Sequence, residues 1–168
     1  MRRRLTLMLG ALCYLAFVSG VHADTIIRDD RGGIIGVYVF RLAALSLTDE
    51  RIFVYGNCLS ACTLMLGIIP RNRICAHTGA QFGFHAAWVR DDEGRPIPSP
   101  EGTEKLMQIY PKDVRRMIAQ RGGLKKKMFY VPASTFVADC ADARNTRAEA
   151  SAKHPSKRKV RRTYASGR

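Results

Sequence analysis

The side chains in this 168-residue chain best suited by type and spacing to acyl transfer are Ser60 and, twenty-five residues later, His85. Ser60 lies in Gly56-Asn57-Cys58-Leu59-Ser60-Ala61-Cys62, which follows the apolar run 51–55 and precedes the apolar run 63–69, so it reads as strand, tight turn and buried helix with a hydroxyl at the turn. A serine hydroxyl is a weak nucleophile until a neighbouring base takes its proton. A second apolar run, Ala80-Gln81-Phe82-Gly83-Phe84, ends on His85, whose imidazole can serve as that base near neutral pH. Each residue also has a plainer reading. Serine is a preferred helix N-cap without any chemistry. A histidine beside Phe82, Phe84 and Trp88 can be a satisfied core residue, and those aromatics read as core rather than as a substrate platform.

The elements that must position the pair follow from periodicity and punctuation. Residues 25–27 read as a short strand, 29–33 as a turn, and 34–47 as a helix with apolar residues at 37, 40, 44 and 47. Strands are expected at 51–55, 73–76 and 80–85, with a buried helix over 60–69. Residues 90–100 read as a polar, proline-laced surface loop. Two helices, 101–110 and 112–121, flank Pro111 and stop at Gly122-Gly123. The alternation predicts a small α/β unit with a mostly parallel sheet flanked by helices, in which functional groups collect at the carboxyl ends of strands. Both Ser60 and His85 fall at such ends. One domain over 24–140 is large enough for its own core.

The two ends of the chain differ from this body. Arg2, Arg3 and Arg4 precede an apolar run from Leu5 to Val18, and Val21-His22-Ala23 offers the small residues that a signal peptidase reads, so residues 1–23 are expected to be a cleaved export signal. The apolar run, about 14 residues, is short of the roughly 20 that span a bilayer. Residues 141–168 carry nine Lys or Arg against Asp142 and Glu149, half of the formal +14, with few and small apolar residues. Such a tail is expected to be disordered. It offers salt-sensitive attraction to anionic surfaces, either lipid or nucleic acid. With Tyr164 as its only aromatic it predicts no specific nucleic-acid site.

Removal of the leader also removes Cys13 and leaves Cys58, Cys62, Cys75 and Cys140, an even set suited to two disulfides in the periplasm or outside the cell. Composition alone allows three pairings. The four-residue spacing around a strand-to-helix turn predicts that Cys58 and Cys62 find different partners. Cys-x3-Cys is loose for zinc, and neither His77 nor His85 stands at a close ligand spacing from another histidine, so no metal is expected.

Over roughly residues 32–88 the sequence resembles the Clp protease proteolytic subunit of the crotonase-like superfamily, and more closely the small exported Clp-protease-like proteins of alphaproteobacteria. The matching features are Gly32-Gly33 ahead of a helix, the Gly-x-Cys-x-Ser-Ala-Cys turn at 56–62, Arg71-Asn72-Arg73-Ile74-Cys75, Gly83-Phe84-His85, and the serine-to-histidine interval. The resemblance implies Ser60 as nucleophile, His85 as base, and N–H groups at Gly33 and Ala61 as an oxyanion hole. A helix beginning at the serine would aim unpaired donors at the developing charge. The sequence departs from the family at the third catalytic residue: where the peptidase carries an aspartate, residues 121–127 read Arg-Gly-Gly-Leu-Lys-Lys-Lys. Asp91 and Asp92 in the 90–100 segment, and Asp139 further on, remain as candidates to orient His85.

Two functions are therefore expected to compete. One is an exported serine hydrolase, peptidase-like, acting on a peptide or ester with a Ser-His dyad and no cofactor. The other is a non-catalytic crotonase-like binding or structural protein of the envelope. Oligomerisation is left open: rings occur in the resembling peptidase, but a chain this short need not assemble.

Overall fold

In the computed structural model, residues 24–141 are described; residues 1–23 and 142–168, on which the expected export signal and the expected disordered tail fall, lie outside the described residues. The order of elements is β1 (Thr25–Ile27), α1 (Ile35–Ser46), β2 (Ile52–Val54), β3 (Asn57–Leu59), a 3-10 segment (Ser60–Leu64) continuing into α2 (Met65–Ile68), β4 (Ile74–Ala76), β5 (Gln81–Phe84), β6 (Trp88–Arg90), β7 (Pro96–Pro98), α3 (Pro100–Ile109), α4 (Lys112–Gln120), β8 (Phe129–Pro132) and β9 (Ala138–Asp139). The domain is mixed α/β, as the alternation predicts.

An all-parallel sheet of order β1-β2-β4-β9 forms one layer, with Ile52 facing Thr25 on one side and Ile74 on the other. Its central strands are short and almost wholly apolar because both faces are covered: Ile52 and Val54 have no exposed surface, and Ile74, Cys75 and Ala76 are buried. A second sheet of order β3-β5-β8 pairs β3 and β5 in parallel and β5 and β8 antiparallel. Between the elements runs 61–66, in which every residue is buried.

The helix expected over 60–69 is shorter and begins as a 3-10 turn, with Pro70 ending it. Helix α1 ends against Arg73, whose guanidinium donates from Nη2 to the Leu45 carbonyl (2.8 Å), from Nη1 to Ser46 (3.1 Å) and from Nε to Glu50 (2.9 Å). A cation there satisfies orphan carbonyls and complements the helix dipole. Arg71 likewise donates to the carbonyls of Leu66 and Phe136 and pairs with Asp113. The Arg-x-Arg of the resemblance is thus a structural clamp.

Three sequence expectations need correction. Residues 37, 40, 44 and 47 of α1 do not face the core: they are exposed, while Leu42 is buried and Ile35, Tyr38, Val39 and Leu45 pack inward. Both faces of this helix are apolar, so periodicity alone could not choose between them. Residues 90–100 are not simply a loop. They include strand β7 of a hairpin in which Val89 faces Ile97, closed by Asp91, whose carboxylate accepts the backbone N–H groups of Glu93 and Arg95, and by Gly94 at φ +78°. Trp88 stands on that hairpin, 48 % exposed with Arg90 over its ring, and is not core.

The cysteines also pair against expectation. Cys58 bonds to Cys62 and Cys75 to Cys140. The chain reverses at Ser60, whose φ is +55°, between β3 and the 3-10 segment, and the Cα atoms of Cys58 and Cys62 stand 5.4 Å apart, inside the range a disulfide spans. The second bridge ties β4 to the segment just after β9.

Candidate active site

Ser60 leaves the end of β3 in the left-handed region, φ +55°, and is the only residue other than glycine at positive φ among the described residues. That backbone costs about 1–3 kcal/mol in a residue with a Cβ, and such strain collects at functional turns. Ser60 is not an N-cap: Leu59 holds the cap position, and the first turn carries no side-chain cap bond. The hydroxyl is therefore not committed to the helix.

The surrounding groups hold this turn. Thr63, with no exposed surface, donates its hydroxyl proton to the Ser60 carbonyl at 2.6 Å. Because that proton is used, the 2.6 Å contact between Thr63 Oγ1 and Tyr110 Oη requires the tyrosine to donate. Burial pushes the Tyr110 phenol up to about 12. The Cys58–Cys62 bridge brackets Ser60 by two residues on each side. Neither Thr63 nor Tyr110 stood out in the sequence; the interval of three from Ser60 to Thr63 is the only signal that could have found one of them.

Gly32 lies against the turn from outside. A Cβ placed on it would come 2.5 Å from the Leu59 carbonyl oxygen, 2.7 Å from the Ser60 Cβ and 2.9 Å from the Ala61 nitrogen, and its φ is +77°. The 32–33 turn is itself fixed by Asp30, which accepts the Gly32 N–H at 2.8 Å and the Tyr38 hydroxyl. Burial and the Asp30 carboxylate push Tyr38 up to about 12. The Gly32 N–H is thereby occupied, while no hydrogen bond occupies that of Gly33 among the described residues. Ala61 sits in the first turn of the 3-10 segment, where helical geometry supplies no acceptor for its N–H.

Leu59 of β3 faces Gly83 of β5 in parallel register. One residue beyond stands Ser60, and two beyond Gly83 stands His85, so both leave the same end of adjacent strands. Gly83 packs closely here: a Cβ on it would stand 2.5 Å from Leu59 Cδ2 and 2.7 Å from Met128 Sδ, so a larger residue would displace those two side-chain ends. His85 is half-buried, and its Nδ1 lies 2.6 Å from the Ala86 carbonyl oxygen. A carbonyl only accepts, so Nδ1 carries the proton and Nε2 presents its lone pair. Among the described residues no hydrogen bond joins Ser60 to His85.

None of the three acidic candidates is bonded to His85. Asp91 is engaged inside its own hairpin with Arg95 and Glu93, and the N–H groups of Arg95 lower its pKa. Asp92 is exposed in the hairpin turn. Asp139 accepts from Thr78 and from the Ala141 N–H. The Ala86 carbonyl occupies the place at Nδ1 that a carboxylate would take.

A cavity of about 410 Å³ opens at His85, walled by Ala86, Trp88, Ile97, Pro98 and Met128, with Arg90 and Lys126 also lining it. A larger one, about 570 Å³, lies between the β1 edge and α1 and is lined by neither Ser60 nor His85. Of the two, the smaller adjoins a group able to move a proton. Among the described residues no group of three His, Cys, Asp or Glu is placed to hold a metal ion, and no helix is long and apolar enough to cross a membrane.

No family model matches this chain, and neither the curated proteins nor the solved structures contain a match to it.

Proposed function

We propose that this protein is an exported serine hydrolase, peptidase-like, of the Clp-protease/crotonase-like type. The observation that carries the reading is the strained, uncapped serine at the end of β3 beside the strand that delivers His85 to an apolar cavity. Ser60 Oγ attacks a substrate carbonyl carbon while His85 Nε2 takes the hydroxyl proton, and the Gly33 and Ala61 N–H groups receive the oxyanion. Collapse of that intermediate expels the amine or alcohol with the proton from Nε2. Water, deprotonated by the same nitrogen, then frees the acid and restores Ser60. Through Nδ1, the Ala86 carbonyl fixes the tautomer but cannot neutralise the imidazolium as a carboxylate does, so turnover is slow for a serine hydrolase. The cavity beside His85 suits an apolar side chain or acyl group. No cofactor takes part.

Export is supported by the basic and apolar leader and by two disulfides in the folded body. The basic tail adds salt-sensitive attraction to anionic surfaces. A fluorophosphonate that reacts with activated serines should label the oxidised protein and fail on Ser60→Ala; labelling that survives the substitution removes the assignment.

One observation favours a second reading, a non-catalytic envelope scaffold: His85 is bonded to neither Ser60 nor a carboxylate. On that reading Ser60 is inert and His85→Ala changes stability alone.

A further inference from the structure

The outer face of α1 is apolar along its whole length. Gly36, Val37, Phe40, Ala43, Ala44 and Leu47 fall within one side of the helix by the 100° step per residue, and all six are exposed. Phe40 is 79 % and Leu47 89 % exposed, with Ile34 at 75 % and Val37 at 57 % beside them. No charged or hydrogen-bonding side chain interrupts the face. Since the opposite side packs into the core, α1 is apolar on two opposite sides with the exposed Arg41 between them, the pattern of a helix covered on both sides.

We infer that this face is covered by the same face of a second copy of the chain, the two α1 helices packing antiparallel about a two-fold axis near Phe40. Three observations select that occupant. Ile34, Val37, Phe40 and Leu47 are each more than half exposed, and a contiguous apolar patch of that kind on a monomer marks an interaction surface. Phe40 is flanked by Gly36, Ala43 and Ala44, and a Cβ on Gly36 would meet nothing, so the ring of one copy has a shallow groove in the other. The flanks are complementary in charge: the exposed Arg31 precedes the helix and the exposed Asp49 follows it, so an antiparallel pair sets each beside its opposite and also opposes the helix dipoles. A membrane surface fits less well. The helix carries a single cation, Arg41, and the most exposed residue, Leu47, is followed by Asp49 and Glu50.

The test is sedimentation of the chain as exported, disulfides formed, at salt high enough to silence the tail. A mass of two chains is expected, falling to one chain in both Phe40→Glu and Leu47→Glu at tenfold higher concentration, with circular dichroism and Ser60 labelling unchanged. A wild-type chain that stays monomeric, or a dimer that survives both substitutions, overturns the inference. So does a monomer that floats with anionic vesicles through Phe40, which would reassign the face to lipid.

Discussion

Gly32 packs directly on Ser60: a Cβ at position 32 would stand 2.7 Å from the serine Cβ. The turn that carries Ser60 is thus held from outside by a residue that has no side chain and sits at φ +77°. Gly32→Ala adds both left-handed strain and overlap with backbone atoms of Leu59 and Ala61, for a loss of more than about 2 kcal/mol. The expected outcome is a lower melting temperature together with loss of Ser60 labelling. Unchanged labelling would show that the close approach has no bearing on the serine.

The Tyr110–Thr63–Ser60 chain of hydroxyls is a second brace. Thr63→Val leaves the Ser60 carbonyl and the Tyr110 hydroxyl without their buried partner and should cost about 1–3 kcal/mol, whereas Tyr110→Phe removes one donor and should cost about 1. Chemical denaturation of both variants measures the difference. Ser60 reactivity should fall in Thr63→Val far more than in Tyr110→Phe.

Alkaline pH tests the same tyrosine. Its folded pKa of about 12 lies above the ordinary value near 10, so the neutral phenol is the form the fold favours. The stability this contributes, on the order of 3 kcal/mol, is complete below about pH 10 and is lost as pH rises toward 12. Ultraviolet titration of tyrosinate should show two late-ionising phenols, Tyr38 and Tyr110, of which one is lost in Tyr110→Phe. An ordinary titration of every tyrosine would contradict the burial.

The two disulfides should separate stability from reactivity. The Cys75–Cys140 bridge closes a separation of 65 residues and Cys58–Cys62 one of 4, so the loop-entropy contributions are about 4 and about 2 kcal/mol. Replacing Cys75 and Cys140 by serine should lower the melting temperature more. Replacing Cys58 and Cys62 should lower Ser60 labelling more, because that bridge brackets the turn.

Much of this fold is written in local pattern. Thr25–Ile27 and the strand cores at 52–54, 74–76 and 81–84 are short apolar runs bounded by polar turns, and Pro111 with Gly122 and Gly123 frames α4. What sequence could not carry was three-dimensional choice. The outward face of α1 was hidden because both of its sides are apolar. The 90–100 hairpin was hidden because its order comes from hydrogen bonds of Asp91 rather than from hydrophobic alternation. The Cys58–Cys62 pairing depended on the left-handed backbone of Ser60 between them, which residue type does not announce. At the candidate site, the placement of Ser60 and His85 at the same end of adjacent strands was legible from spacing, but the Ala86 carbonyl at Nδ1 was not, because a backbone group leaves no signature in side-chain type.

The most direct measurement is mass-spectrometric mapping of a fluorophosphonate adduct on the folded, oxidised protein and on its His85→Ala variant. A dyad predicts an adduct on Ser60 that falls at least tenfold when the imidazole is removed from a protein that still folds. No adduct on the folded wild-type chain, or equal labelling of Ser60 in the variant, would contradict the hydrolase and leave the scaffold.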